Sequence, residues 1–102
     1  MAFSSLWSWW TRPPWPLDHV RIVLYTRRGC HLCDDALAVL ERARRTVCFG
    51  LEVIDIDADP KLVEQYGHDV PVVTVDGKVR FRGRVNEVLL RRLLRAEAKN
   101  RQ

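Results

Sequence analysis

The stretch YTRRGCHLCDDALAVL, residues 25–40, places Cys30 and Cys33 at the junction of two different sequence patterns. The run before the cysteines, residues 20–26, is rich in β-formers and almost continuously apolar, which predicts a strand buried on both faces. The run after them, residues 34–46, repeats apolar residues at helical spacing, begins with two aspartates and ends with arginines, which favours a helix. The two cysteines are therefore expected where a buried strand passes into a helix.

Local signals define the elements that follow the first helix. Residues 49–57 are mostly apolar and predict a second strand. Residues 58–67 predict a short helix that is capped by Asp59 and ends at a glycine. Within residues 70–83, two short β runs flank an Asp-Gly pair, which is a strong hairpin signal.

The last predicted element is a helix over residues 86–98, with Asn86 as its cap. Its expected buried face consists of four apolar residues, Val88, Leu89, Leu93 and Leu94. The element order is then β-α-β-α-β-β-α, in which the first β-α-β unit is parallel with a right-handed crossover and the hairpin is antiparallel. The sequence thus predicts an α/β fold with a four-stranded mixed sheet flanked by helices.

The position of the cysteine pair favours redox chemistry. A thiolate is the reactive form of cysteine, and the free N–H groups and positive dipole at the start of a helix stabilise an anion. Cys30 is expected at the tip of the helix, with a pKa below the usual thiol value of about 8.5. Cys33 is expected one turn further in, more shielded and close enough to form a disulfide with Cys30.

The chain resembles the thioredoxin fold and, within it, the small glutaredoxin-like proteins. The resemblance covers residues 20–98 and rests on YTRRGCHLC, on Val70-Pro71 before the third strand, and on the Asp-Gly hairpin followed by Gly83. It implies an enzyme, a dithiol thiol–disulfide oxidoreductase. In such an enzyme Cys30 would attack a disulfide and Cys33 would resolve the mixed disulfide.

The resemblance also implies a substrate site beside the cysteines. The Val70–Pro71 bond would be cis, and the backbone of Val70 would pair with an extended peptide or with glutathione. Apart from the resemblance, the charges of three arginines, Arg27, Arg28 and Arg84, make them candidate contacts for an anionic substrate. The substrate would be a disulfide-containing protein or a glutathione mixed disulfide, with glutathione as a possible reductant and no resident cofactor or metal.

Three segments depart from the glutaredoxin pattern, and three residues in them, Asp69, Arg84 and Asn86, predict weaker use of glutathione. The usual Pro-Tyr between the cysteines is His31-Leu32, and the threonine before Val-Pro is Asp69. The Gly-Gly and acidic residue after the last strand are replaced by the stretch at residues 83–86. The redox pair therefore carries over better than the glutathione site.

Composition limits the class of protein. The 102 residues suit one domain, and 47% hydrophobic with 29% charged residues is typical of a soluble globular chain. Three cysteines, an odd number, do not fit a secreted disulfide framework, so we expect a reducing compartment, the cytoplasm. We also expect a monomer. The net charge of +4 is too small to indicate nucleic-acid binding. Cys48 is expected to be buried as a small hydrophobe at the edge of the second strand.

The first 19 residues form a separate Trp- and Pro-rich extension, and residues 99–102 form a short tail. All four tryptophans lie in the extension, at positions 7, 9, 10 and 15. The extension lacks the pattern of a signal peptide and is too short on apolar residues for a membrane span. We do not expect it to contact a membrane, because no basic amphipathic helix accompanies it.

Two other functions remain open at this point. Cys30 and Cys33, with His31 or Cys48, could bind a metal, or Cys30 could hold an iron–sulfur cluster shared by a dimer. However, the chain lacks a second Cys-x-x-Cys or a His-x-x-x-His pair to complete a four-ligand site. Alternatively, the domain could be a redox-inactive docking module whose Trp-rich extension carries the function.

Overall fold

A computed structural model describes the backbone of residues 15–100 and the side chains of residues 20–97. Its order, β-α-β-α-β-β-α, is the predicted one, with a single 3-10 turn added after the second strand. The elements are β1 (Trp15–Thr26), α1 (His31–Arg44), β2 (Val47–Asp55), the 3-10 turn (Ile56–Ala58), α2 (Pro60–Tyr66), β3 (Val72–Val75), β4 (Lys78–Arg82) and α3 (Glu87–Asn100).

The four strands form one mixed sheet in the order β2-β1-β3-β4. β1 is parallel to β2, whereas β3 is antiparallel to both β1 and β4. This arrangement confirms the predicted α/β architecture. It also brings the start of β3 beside the end of β1, since Val72 pairs with Tyr25. The segments that carry Pro71 and Cys30 therefore lie at the same end of the sheet.

Alternation along β1 separates two hydrophobic cores. Ile22 and Leu24 are fully buried on one face and pack with the buried sides of α1 and α3, including Leu40 and Leu90. Tyr25 points to the other face and packs with a smaller core below α2 that is built around Ile56, Tyr66 and Val72. The apolar run that predicted a strand buried on both faces thus reflects one large core and one small core.

The predicted caps and turn form as expected. The Asp59 side chain accepts a hydrogen bond from the Lys61 N–H (3.0 Å), and Asn86 Oδ1 accepts one from the Leu89 N–H (3.0 Å). In the hairpin, Asp76 and Gly77 have φ angles of 50° and 85°, so both adopt the left-handed conformation that a two-residue type I′ turn requires.

Several element boundaries differ from the predictions. β1 begins at Trp15, five positions before the expected start, because residues 15–17 pair in parallel with residues 47–49 before a shift of register. α1 begins at His31, three residues early, because Cys30 is its cap. The predicted division of the chain at residue 19 is not decided by these strand limits and stays a prediction.

The predicted buried face of α3 is partly wrong. Val88 and Leu89 are 60% and 51% exposed, whereas Leu90 and Leu94 are fully buried in the main core. Leu93 is partly buried against the same core. The helix is rotated relative to the predicted stripe so that its 90/94 ridge faces the sheet.

The prediction that Cys48 is buried is also wrong. Cys48 is an exposed free thiol in β2. It lies between Val47 and Phe49, both of which point into the core, and successive side chains of a strand point to opposite faces.

None of the helices within residues 15–100 is long and apolar enough to cross a membrane. The predictions about Trp7, Trp9 and Trp10 fall outside the described residues. The C-terminal tail predicted from residue 99 lies partly outside them, and the described part continues α3 to Asn100.

Candidate active site

The start of α1 holds the cysteine pair. Cys30 is the N-cap residue, with an extended backbone (φ −99°, ψ 105°), and its Sγ accepts a hydrogen bond from the Cys33 N–H (3.1 Å). Gly29 precedes it with a φ of 73°, a left-handed conformation that favours glycine and turns the chain into the helix. A sulfur at this position can receive the unpaired N–H groups of the first turn.

The two sulfurs are joined in a disulfide, with the Cα atoms 5.2 Å apart. This separation is within the usual range for a disulfide. Cys33 is 2% exposed and Cys30 is half-buried, so the order of shielding agrees with the prediction. His31 and Leu32, between them, both face solvent. The geometry fits a redox role for the pair.

The loop before β3 lies beside this helix start. The Val70–Pro71 bond is cis, as the resemblance implied, and Pro71 is fully buried. The Gly83 N–H donates to the carbonyl oxygens of Pro71 (2.8 Å) and Asp69 (3.0 Å). These two hydrogen bonds fix the loop against the end of β4.

The sequence matches the family described as Glutaredoxin-like domain (DUF836) over residues 21–95. The chain belongs to this glutaredoxin-like family. A curated relative, the "Glutaredoxin-like protein YDR286C homolog" of Dictyostelium discoideum, is 34% identical over 74 residues, which cover 67% of this chain and 68% of the relative.

Two solved structures extend the similarity of this glutaredoxin-like protein. The structure of protein XcR50 from X. campestris is 36% identical with a TM-score of 0.61, covering 74% of this chain and 96% of that one. A mutant thioredoxin from Halobacterium salinarum NRC-1 is 23% identical with a TM-score of 0.60, covering 84% and 94%. The second likeness shows the thioredoxin fold alone.

Arg27 of the glutaredoxin-like protein is already engaged within the chain. Its Nη2 and Nε donate to the Asp57 carboxylate, with an Nη2–Oδ1 distance of 2.8 Å, and its Nη1 donates to the Gly67 carbonyl oxygen (3.2 Å). The hydrogen bond to Asp57 and the charge of that carboxylate raise the pKa of Arg27 above its usual value. Arg28, in contrast, is exposed and makes no hydrogen bond or ion pair with residues 20–97.

Asp69 is paired, which the sequence did not reveal. Arg82 Nη1 lies 2.7 Å from Asp69 Oδ2, and the Arg82 guanidinium lies 6.0 Å from the centre of the Tyr66 ring. The negative charge of Asp69, which was expected beside the Pro71 loop, is therefore paired with the positive charge of Arg82. Arg82 was missed because a register shift between Val73 and Thr74 places it opposite Val72.

The remaining predicted contacts divide into exposed and occupied groups. Arg84 is exposed in the loop after β4. The Asn86 side-chain oxygen accepts the capping hydrogen bond at the start of α3. Asn86 therefore caps the helix at the position where the glutaredoxin pattern has an acidic residue. In the part of the chain that is described, no three His, Cys, Asp or Glu side chains are placed to share a metal ion.

Tyr25 and Tyr66 form an aromatic pair under the site, with ring centres 4.7 Å apart. Burial raises the pKa of Tyr25, and the neighbouring Tyr66 and Glu52 add to the effect. The neutral phenol is thus favoured, and its ring supports the end of β1 from which the cysteine loop leaves.

Proposed function

We propose that this protein is a dithiol glutaredoxin-like thiol–disulfide oxidoreductase. Cys30 is the attacking thiolate and Cys33 the resolving thiol. The observation that supports this most is the asymmetry of the pair. Cys30 caps α1, is half-buried and accepts the Cys33 N–H, whereas Cys33 is 2% exposed.

Overall, the reaction transfers two electrons from the two enzyme thiols to the substrate disulfide. The Cys30 thiolate attacks one sulfur of a substrate disulfide, and the other sulfur leaves as a thiolate, which takes up a proton. Cys33 then loses its proton and attacks Cys30 Sγ, which releases the second substrate sulfur. The substrate gains two electrons, and the enzyme is left with the Cys30–Cys33 disulfide. Two reducing thiols, such as those of glutathione, return it to the dithiol form.

The substrate in this proposal lies along the loop at Val70 and Pro71. The backbone of Val70 pairs with an extended substrate, and Arg28 and Arg84 remain exposed to contact an anionic group. The substrate is a disulfide-containing protein or a glutathione mixed disulfide. The proposed function involves no binding to nucleic acid or to a membrane. The protein acts as a monomer in the cytoplasm, a reducing compartment that suits a reducible cysteine pair.

Three serine variants test the roles of the cysteines. Cys30→Ser should abolish the reduction of a disulfide-bonded protein substrate. Cys33→Ser should keep the first attack and accumulate a mixed disulfide that non-reducing gels and mass spectrometry detect. Cys48→Ser is the matched control and should keep wild-type activity, because Cys48 lies in β2 outside the site.

If Cys30→Ser and Cys33→Ser lose the first step equally, the assignment of roles is wrong. If the wild-type protein reduces no disulfide at all, the domain is not an oxidoreductase and the docking function becomes the better explanation. Metal content and visible absorbance of the same sample test the metal-binding function.

A second test concerns the acidity of the attacking thiol. In a protein that keeps only Cys30, the rate of alkylation against pH should give a midpoint below the free-thiol pKa of about 8.5. The helix terminus and the Cys33 N–H are the physical cause. A midpoint at or above the free-thiol value would remove the case for an activated nucleophile.

A further inference from the structure

Arg27 connects three segments that meet at the redox end of the sheet. It directly follows the end of β1, three positions before Cys30. Its guanidinium donates to Asp57 in the 3-10 turn and to the carbonyl oxygen of Gly67 after α2. These partners lie 30 and 40 residues further along the chain. We call this set of residues, Arg27, Asp57 and Gly67, the Arg27 clamp.

The clamp spans the two loops that the reaction uses. Gly67 lies three positions before Val70, just as Arg27 lies three positions before Cys30. The sheet joins the end of the Pro71 loop back to β1, since Val72 pairs with Tyr25, two positions before Arg27. A closed circuit therefore runs from Arg27 to Gly67, along the Pro71 loop to Val72, and through the sheet to Tyr25. The segment that carries Cys30 leaves this circuit at Arg27.

We propose that Arg27 is a positioning residue that sets the placement of the Val70–Pro71 loop relative to Cys30, and that it does not contact the substrate. The inference rests on the proposed disulfide exchange and replaces the anion contact that the sequence suggested for Arg27. All three nitrogens of its guanidinium already donate to Asp57 or Gly67, so an anionic substrate would compete with these partners for Arg27.

Arginine suits this role better than lysine does. The guanidinium is planar and presents donors in a fixed fork, so one edge binds a carboxylate with two hydrogen bonds while Nη1 reaches a carbonyl in another direction. A lysine keeps the positive charge but has one nitrogen, which cannot reproduce both contacts. The two side chains of the ion pair are 37% and 45% exposed, so the clamp should contribute little to global stability.

A double-mutant cycle on Arg27 and Asp57 tests the inference. Arg27→Lys, Asp57→Asn and the double variant are compared for kcat and KM with one disulfide-bonded peptide substrate. Each single variant should lower kcat/KM about threefold to tenfold, mainly through KM, because a displaced loop aligns the substrate less well. The double variant should be no worse than Arg27→Lys alone, since that substitution already removes the contact that Asp57→Asn weakens.

Two further measurements separate positioning from charge. The pH midpoint of Cys30 alkylation should be unchanged in all three variants, because Cys30 keeps its place at the start of α1. Arg21→Lys is the matched control, because Arg21 pairs with Glu52 (3.6 Å) between β1 and β2, the strands that precede Arg27 and Asp57, but away from the cysteines. This control should retain wild-type kcat/KM.

The opposite results would overturn the inference. If Arg27→Lys loses kcat/KM without faster exchange of the Asp69 N–H, while Asp57→Asn keeps wild-type kcat/KM, Arg27 contacts the substrate and does not position the loop. Losses that add in the double variant, or a shifted alkylation midpoint, would show that the two residues act separately or through charge.

Hydrogen exchange provides a readout that does not depend on catalysis. The Asp69 N–H donates to the Tyr66 carbonyl (2.9 Å) between Gly67 and the Pro71 loop, and its exchange should become faster in both single variants. Unchanged exchange would reject the clamp even if the protein reduces disulfides. Faster exchange in a protein without disulfide reductase activity would reject the proposed function but not the clamp's effect on the loop.

Discussion

Two clusters of arginine and carboxylate with similar geometry lie in different parts of the molecule. In the Arg27 clamp, Nη2 of Arg27 is 2.8 Å from Asp57. In the helix cluster, Glu87 of α3 accepts from Arg42 of α1 (2.9 Å) and from Arg91 on its own helix (3.0 Å). The clamp joins loops that lie at the redox end of the sheet, whereas the helix cluster joins helices that the core already fixes.

The difference separates function from stability. Where packing determines the position of an element, a surface ion pair changes little, because exposed pairs typically contribute under about 1 kcal/mol. Where loops carry the reacting groups, the same chemistry controls alignment. Changes at the redox end should therefore alter activity, and changes in the core below α3 should alter stability.

The largest effect is expected in the core. Leu90 is fully buried, so Leu90→Ala should reduce the free energy of unfolding by about 2–5 kcal/mol, through lost burial and a cavity. Leu89→Ala is the matched control on the next residue, which is 51% exposed, and should change it by less than about 0.5 kcal/mol.

Urea unfolding of both leucine variants measures these changes, and disulfide reduction is assayed under conditions where each protein is folded. Similar losses of stability in the two variants would contradict the observed orientation of α3. A loss of activity in folded Leu90→Ala protein would contradict the separation of function from stability.

This orientation shows where sequence reasoning stops. The apolar residues between positions 88 and 94 of α3 satisfy more than one helical stripe, and the spacing alone favoured one that includes Val88 and Leu89. Packing against β1 and α1 selects the ridge at Leu90 and Leu94 instead. Local signals were more reliable, since the cap at Asp59 depends on only a few neighbouring residues.

The candidate site also contains features that local sequence signals predict and features that only the packing of distant segments determines. The cysteine pair and the start of α1 could be predicted because they depend on a short contiguous segment. The partners of Arg27 could not, because they lie 30 and 40 residues away and neither follows from a local pattern. The Asp69–Arg82 pair depends on an irregularity in the register of β3 and β4, which the even spacing of the hairpin does not reveal.

An intermediate effect is expected at Asp69. Sequence departures predicted that glutathione is used less well than by a typical glutaredoxin, partly because Asp69 would repel an anionic ligand. Since Arg82 pairs with Asp69, Arg82→Gln should expose that charge and lower the rate of glutathione mixed-disulfide reduction by up to about fivefold. Adding Asp69→Asn should restore the rate.

Protein-disulfide reduction by the same samples and added salt serve as controls for the Arg82 variants. The loss in Arg82→Gln should become smaller at high ionic strength, because both partners are about half exposed. If the double variant stays as slow as Arg82→Gln, Arg82 acts through its packing near Tyr66 and not by neutralising Asp69.

The smallest effect is expected at Glu87, where pH reveals it. Hydrogen bonds from Arg42 and then Arg91 lower the pKa of Glu87 from its ordinary value of 4.5 in the folded protein. A carboxylate with a lowered pKa stabilises the fold above its unfolded pKa, and this stabilisation disappears as the pH falls through the folded pKa. Glu87→Gln should therefore be slightly less stable than wild type at pH 7, and this gap in the free energy of unfolding should narrow toward pH 3.

Urea unfolding at both pH values measures the gap. Glu64→Gln is the control, because Glu64 is exposed and has no ion pair to residues 20–97. A gap that widens on acidification would mean that Glu87 does not act through its charge. Disulfide reduction should be the same in wild type and Glu87→Gln, because this cluster supports helices and not the loops at the cysteines.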